Sequence, residues 1–395
     1  MSTRTIGLRI GLVALAIAHV WCASEQAALP QPPAADGGVD AEASVDAGSA
    51  GEDAGLSEVP ACNDTFCRVA VPDGQTTALD GILVRSPSDV WVVGSGGYAA
   101  RFDGTTWQRI PTGSKARIFD VAASGDGTVW GASSGDSFFV LSRTVDGGAE
   151  VVSGGFSGVV RAIATVGARE AWAVGTGFVN WWEFPPPPAA FIWHYAPGSG
   201  GEWGWQPVSP PCPVDEFDRQ ICMKLNAVWA ESAHRVWFVG DEGKVFRSDT
   251  SSLADGGGGG DPDAGESQKH LELTEMNSSS LRALNGIWGF GDDDVWAVGV
   301  QGVIRHWGGG DAWTIVPSPV TADLNAVWGA RPDDVWAVGD DGVVLHWDGK
   351  EWTLTPTPYG IENRPPLYAV SGSGADVWIA GQGTLLRSKA PGGDQ

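Results

Sequence analysis

Between residues 89 and 381 one short run returns seven times: DVWVVG, TVWGAS, EAWAVG, RVWFVG, DVWAVG twice, and DVWIAG, carrying Trp91, Trp130, Trp172, Trp237, Trp296, Trp336 and Trp378. Each run is apolar on both alternating faces, as in a strand covered on both sides, and is too short for a buried helix. The intervals between the tryptophans are 39, 42, 65, 59, 40 and 42 residues. A period near 40–45 residues built from short strands points to sheets repeated around an axis. Residues 324–358 show what one unit holds. LNAVWG, VWAVG, VVLHW and EWTLTP read as four strands, joined by a Pro/Asp turn, by Asp341-Gly342 and by Asp348-Gly349. Asp-Gly between apolar runs marks a tight hairpin, because Gly takes positive φ without strain.

The fold class expected is therefore all-β: a seven-bladed β-propeller of four-stranded antiparallel blades over residues 61–390. Each sheet can bury both faces only against its neighbours. The last unit runs out after LYAVSG, VWIAG and TLLRSK without a fourth strand, whereas TFCRVAVP at 65–72 precedes the first unit as a strand without a sheet. That segment is expected to pair with residues 384–389 and close the ring.

Residues 1–22 read as a signal peptide, with Arg4 and Arg9 ahead of an apolar core too short to span a bilayer. Cys22 follows directly and resembles the lipidated cysteine of bacterial lipoproteins, although His19 and Trp21 depart from the usual box. Lipid attachment at Cys22 is one expectation and plain secretion the other. Residues 23–60 are Ala, Gly, Asp and Pro with hardly a large apolar side chain, so they are expected to form a disordered tether. Residues 391–395 form a short tail. Export makes Cys62–Cys67 and Cys212–Cys222 the simplest pairings as local disulfides, with metal binding the weaker alternative because no His stands at ligand spacing.

Lys plus Arg total 24 against 48 Asp plus Glu, a net charge of −24, which argues against nucleic acid or anionic lipid as partner. Two insertions, 177–189 and 209–224, fall after the second and fourth strands of the third unit, on one rim of the disk. Trp181, Trp182 and Phe184 lie in the first of them and are the candidate ligand-binding residues, against the plainer alternative that they pack the insertion onto its blade. The glycine-rich, acidic 251–269 belongs to the opposite rim and lacks the spacing of a calcium loop. His194, His306 and His346 share one strand position and read as structural. Asp89, Asp294, Asp334 and Asp376 stand two residues before the marker tryptophan and read as turn stabilisers.

The units resemble the broad superfamily of WD, quinoprotein-like and Asp-box propellers. FDGTTW and WDGKEW look like degenerate Asp boxes without the leading Ser, and residues 105–133 resemble a tectonin repeat of glycan-binding propeller lectins. No Ser-His-Asp order, metal cluster or phosphate-binding loop emerges, so no catalytic residue, metal or cofactor is expected. The function expected is a monomeric, non-catalytic binding scaffold for protein at the cell envelope. A lectin is the alternative, and a sialidase-like enzyme the less favoured one.

Overall fold

The computed structural model describes residues 61–72, 77–134, 137–142, 150–153, 158–177, 192–198, 200–208, 224–248 and 273–389. The signal-like segment with Cys22, the tether, the tail, both insertions of the third unit with Trp181, Trp182, Phe184, Cys212 and Cys222, and the 251–269 stretch lie outside the described residues.

Among the described residues the strands form seven four-stranded antiparallel sheets. The sixth is representative: Leu324–Arg331, Asp334–Gly339, Val344–Trp347 and Trp352–Leu354, each paired to the one before. The innermost strands are Leu79–Ser86, Ile118–Ala123, Gly158–Val166, Leu225–Ser232, Leu284–Gly291, Leu324–Arg331 and Leu367–Ser373. Each packs beside the next in chain order, and the seventh packs beside the first. Phe66–Arg68 is the outermost strand of the seventh sheet, pairing antiparallel with Thr384–Ser388 in the register Phe66 to Ser388 and Arg68 to Leu386. Cys67, the middle residue of this strand, is joined by a disulfide to Cys62 just ahead of it.

Apolar side chains fill the gaps between sheets. Trp172, Trp237 and Trp378 of the marker strands are almost wholly buried. Trp237 meets Trp307 and Trp313 of the next sheet at ring-centroid distances of 5.7 and 5.6 Å. The glycine that ends the marker has a close-approach reason: a Cβ on Gly339 would lie 2.0 Å from the Asp323 carbonyl oxygen, and the same clash recurs at Gly94, Gly175, Gly240, Gly299 and Gly381. The following turn carries positive φ at two successive residues, 56° at Asp341 and 63° at Gly342, as the Asp-Gly signal implies.

The structure assigns a different role to the aspartates before the marker tryptophan, which the sequence suggests as turn stabilisers. They reach across to an arginine or histidine side chain on the third strand. Arg101 Nε donates to Asp89 at 2.8 Å and Arg387 Nε to Asp376 at 2.8 Å, while His306 and His346 Nε2 lie 2.7 and 2.9 Å from Asp294 and Asp334. The same side chain covers the tryptophan: the His346 ring lies 4.1 Å from Trp336, the His194 ring 3.8 Å from Trp172, and the Arg387 guanidinium 4.7 Å from Trp378. His194, His306 and His346 do occupy equivalent positions, each opposite its marker tryptophan. His194 is buried, and His306 and His346 are half-buried beside their tryptophans.

Candidate functional site: the mouth of the central channel

The seven innermost strands enclose a cavity of about 610 Å³. All seven carry a register shift at the same point, one residue after the first buried aliphatic: between Leu79 and Gly81, Ile118 and Asp120, Val160 and Ala162, Leu225 and Ala227, Leu284 and Gly286, Leu324 and Ala326, and Leu367 and Ala369. A bulge leaves its extra residue outside the ladder and re-aims its side chain. The seven extra residues are Asp80, Phe119, Arg161, Asn226, Asn285, Asn325 and Tyr368, and all line the cavity. They sit where the innermost strands begin, on the rim that carries the turns after the second and fourth strands.

Most of these side chains tie one sheet to the next. Asn226 Nδ2 donates to the Leu284 carbonyl at 3.1 Å, Asn285 to Leu324 at 3.0 Å, and Asn325 to Leu367 at 2.9 Å. Asn226 and Asn325 also donate to Asp241 and Asp340 of their own sheets. The shared Leu-Asn pair that opens three units is thereby explained as a repeated inter-sheet hook. At the first junction Asp80 does the equivalent work, accepting from Arg117 Nε at 2.8 Å and Nη2 at 2.5 Å. Burial pushes the Asp80 carboxyl up from its ordinary value, while Arg117 opposes that shift. At the second junction Asp120 accepts the Ile163 N–H at 2.9 Å and its neighbour Val121 N–H at 2.8 Å.

Sheets two and three break the pattern at the bulge. Phe119 and Arg161 stand where the asparagines stand elsewhere. The guanidiniums of Arg117 and Arg161 each lie 5.1 Å from the centroid of the one Phe119 ring, so a single aromatic holds two cations. Lys224 joins them from the fourth sheet, its Nζ 4.0 Å from Asp241. Among the described residues no carboxylate lies within ion-pair distance of Arg161, and its pKa is lowered by burial first and by the Arg117 charge second. Two large apolar side chains, Leu281 and Ile361, are exposed in connections on the same rim, at 91% and 83%. Among the described residues no group of His, Cys, Asp or Glu is arranged to hold a metal ion, and no helix is long and apolar enough to cross a membrane.

Burial raises the Asp120 carboxyl to about 6, with the two backbone N–H groups opposing it. An acid whose folded-state pKa lies above its unfolded value adds stability that is complete below the unfolded pKa and lost as pH rises through the folded one. We therefore expect Asp120 to favour the folded chain most at pH 4 and to lose that contribution by pH 7, between its ordinary 3.8 and about 6. The exposed Asp103, held below its ordinary value by the Thr106 N–H first and by Thr105, carries the opposite sign. The test is thus the difference between wild type and Asp120→Asn in denaturant midpoint from pH 4 to pH 7. The wild type should lose more stability than the variant over that range; parallel curves would remove the assignment.

Where the sequence proposes Trp181, Trp182 and Phe184 as ligand-binding residues, the structure is silent, because they lie outside the described residues. The mouth residues were not singled out in the sequence. Their signal was present as a departure from Leu-Asn at one repeat position, but the bulge that aims that position at the channel is visible only in three dimensions.

Neither a family model nor a curated protein sequence matches the chain. Solved structures do. Virginiamycin B lyase from Staphylococcus aureus superposes with a TM-score of 0.61 at 14% identity, over 82% of this chain and 99% of that one. YCF48 bound to D1 peptide gives 0.52 at 17% identity, over 83% and 97%. The WD40 repeats of RRP9 give 0.57 at 10% identity, over 83% and 98%. The chain is a β-propeller. At these identities the likeness is one of fold alone, and the neighbours include both a lyase and a set of WD40 repeats.

Proposed function

We propose that this seven-bladed propeller, closed by its 66–68 strand, is a non-catalytic binding scaffold that docks a protein segment at the channel mouth. The reading includes export, with Cys22 as lipid anchor and residues 23–60 as tether to the cell envelope. The observation that carries it is the break in the hook pattern at Phe119 and Arg161. Five of the seven bulged residues hold polar contacts that the fold itself supplies. These two instead present an aromatic ring and a guanidinium to the cavity. The third sheet, which bears Arg161, is also the one whose two long insertions the repeat pattern assigns to this rim. Among the structural neighbours, one is described in complex with a peptide.

A glycoside-processing enzyme would draw on the same mouth, since Asp80, Asp120, Arg117, Arg161 and Tyr368 all line it. Such chemistry needs a carboxyl that is open to substrate. Asp80 is engaged by Arg117 through both oxygens, and both oxygens of Asp120 accept backbone N–H groups. Binding is the reading these contacts favour.

A photo-crosslinking side chain placed at Phe119, in the full chain made by cells, should give a discrete protein adduct recovered with the membrane fraction. The same group at Lys350, exposed on the opposite rim, should give none. Adducts from Lys350 alone, or from neither position, would overturn the mouth as docking site. A chain found wholly in the soluble fraction would remove the anchor.

A further inference from the structure

The chemistry of the mouth narrows what can dock there. The chain as a whole carries −24, so its long-range field repels anions and attracts cations. Against that background Arg117, Arg161 and Lys224 converge from three consecutive sheets on one side of the cavity. Two of the three already have anionic neighbours: Arg117 is paired with Asp80, and Lys224 lies beside Asp241. Among the described residues Arg161 has no carboxylate within ion-pair distance, and Asp241 and Asp80 act on it only at longer range. Like Arg117 it lies against the Phe119 ring, an apolar contact that braces the guanidinium without using its N–H donors. A fixed guanidinium with free donors matches a carboxylate in a forked, two-bond geometry, and it is more weakly hydrated than an ammonium.

A polyanion such as nucleic acid would meet the repulsion of the whole chain along its length. A single carboxylate on an otherwise apolar or neutral segment would meet it once, and would pass the exposed Leu281 and Ile361 on the same rim. We propose that Arg161, braced by Phe119 and flanked by Arg117 and Lys224, is the receptor for a carboxylate carried on an extended protein segment entering the channel mouth. The assignment rests on the mouth being the docking site and adds the chemical class of its ligand. Phe119 and Arg117 act as positioning residues, and Arg161 makes the contact.

The test is a phage-displayed library of random dodecapeptides panned against the full chain. Recovered peptides should be enriched in Asp or Glu. A recovered peptide should bind at least about tenfold more weakly to Arg161→Gln, and equally more weakly when its own carboxylate is replaced by the amide. Combining the two changes should cost no more than either alone, because they remove one and the same contact. Arg331→Glu, at an exposed residue on the opposite rim, should leave binding unchanged. Peptides without acidic bias that are nonetheless lost on Phe119→Ala would overturn the carboxylate while keeping the mouth. Peptides indifferent to both Phe119 and Arg161, or no recovery at all, would overturn both.

Discussion

Trp237→Ala is expected to destabilise the chain by about 3–5 kcal/mol, the range for removing a large buried aromatic from a well-packed site. Trp237 has no exposed surface. It lies in the gap between the fourth and fifth sheets, where Trp307 and Trp313 meet it edge-on or tilted, and the Arg247 guanidinium lies 5.4 Å from its ring centroid on its own sheet. Because sheets on both sides shape that cavity, neither can collapse into it without shifting its neighbour, which places the cost toward the upper end. Equilibrium denaturation would measure it, with Leu281→Ala, at a residue 91% exposed, expected within about 0.5 kcal/mol of wild type. A loss below about 1 kcal/mol at Trp237 would show that the sheets do relax.

Phe66→Ala is expected to cost about 3–4 kcal/mol and to have a local signature as well. The side chain is fully buried although its strand is only three residues long. Its ring stands edge-on to Trp336 of the sixth sheet at 5.8 Å, within the cluster that includes Leu367, Ile379 and Leu386. The strand Phe66–Arg68 is therefore held by one buried side chain, a short ladder and the disulfide from its own Cys67 back to Cys62. Hydrogen exchange should accelerate at residues 384–388, whose outer partner is loosened, while residues 344–347 of the sixth sheet stay protected. Equal exchange in both, or none changed, would mean that the strand is held by something other than Phe66.

Much of this architecture was legible in the chain. The marker tryptophan fixed the second strand of each sheet, because a run apolar on both faces has nowhere to go but between two neighbours. The shortfall of one strand after residue 389 located the partner of residues 65–72. Turn chemistry was legible too, down to the positive φ at Asp341 and Gly342. Less was visible wherever a side chain acts across sheets. Asp89 and Asp334 look like turn residues in sequence, since Asp beside a turn so often is one, and only the register shows Arg101 and His346 opposite the marker tryptophan and within reach of them. Arg117, Phe119 and Arg161 escaped for a related reason. They converge from separate sheets, and their place at the mouth depends on a bulge, which is a local irregularity of the ladder with no residue type of its own.

The hooks have a direction: each asparagine donates from its own sheet to the next one along the chain, as at Asn226, Asn285 and Asn325. A ring fastened in this way resembles a belt of links, and its weakest link need not be where the chain begins and ends. Among the described residues, no side chain of the third innermost strand donates to the fourth. That junction is joined by apolar contact, with Trp172 edge-on to Phe238 at 6.1 Å. The unfastened link thus lies directly beneath Arg161. A segment docked there as proposed would bridge two sheets between which the described residues supply no such hook, and occupancy of the mouth would then be coupled to the rigidity of the circle.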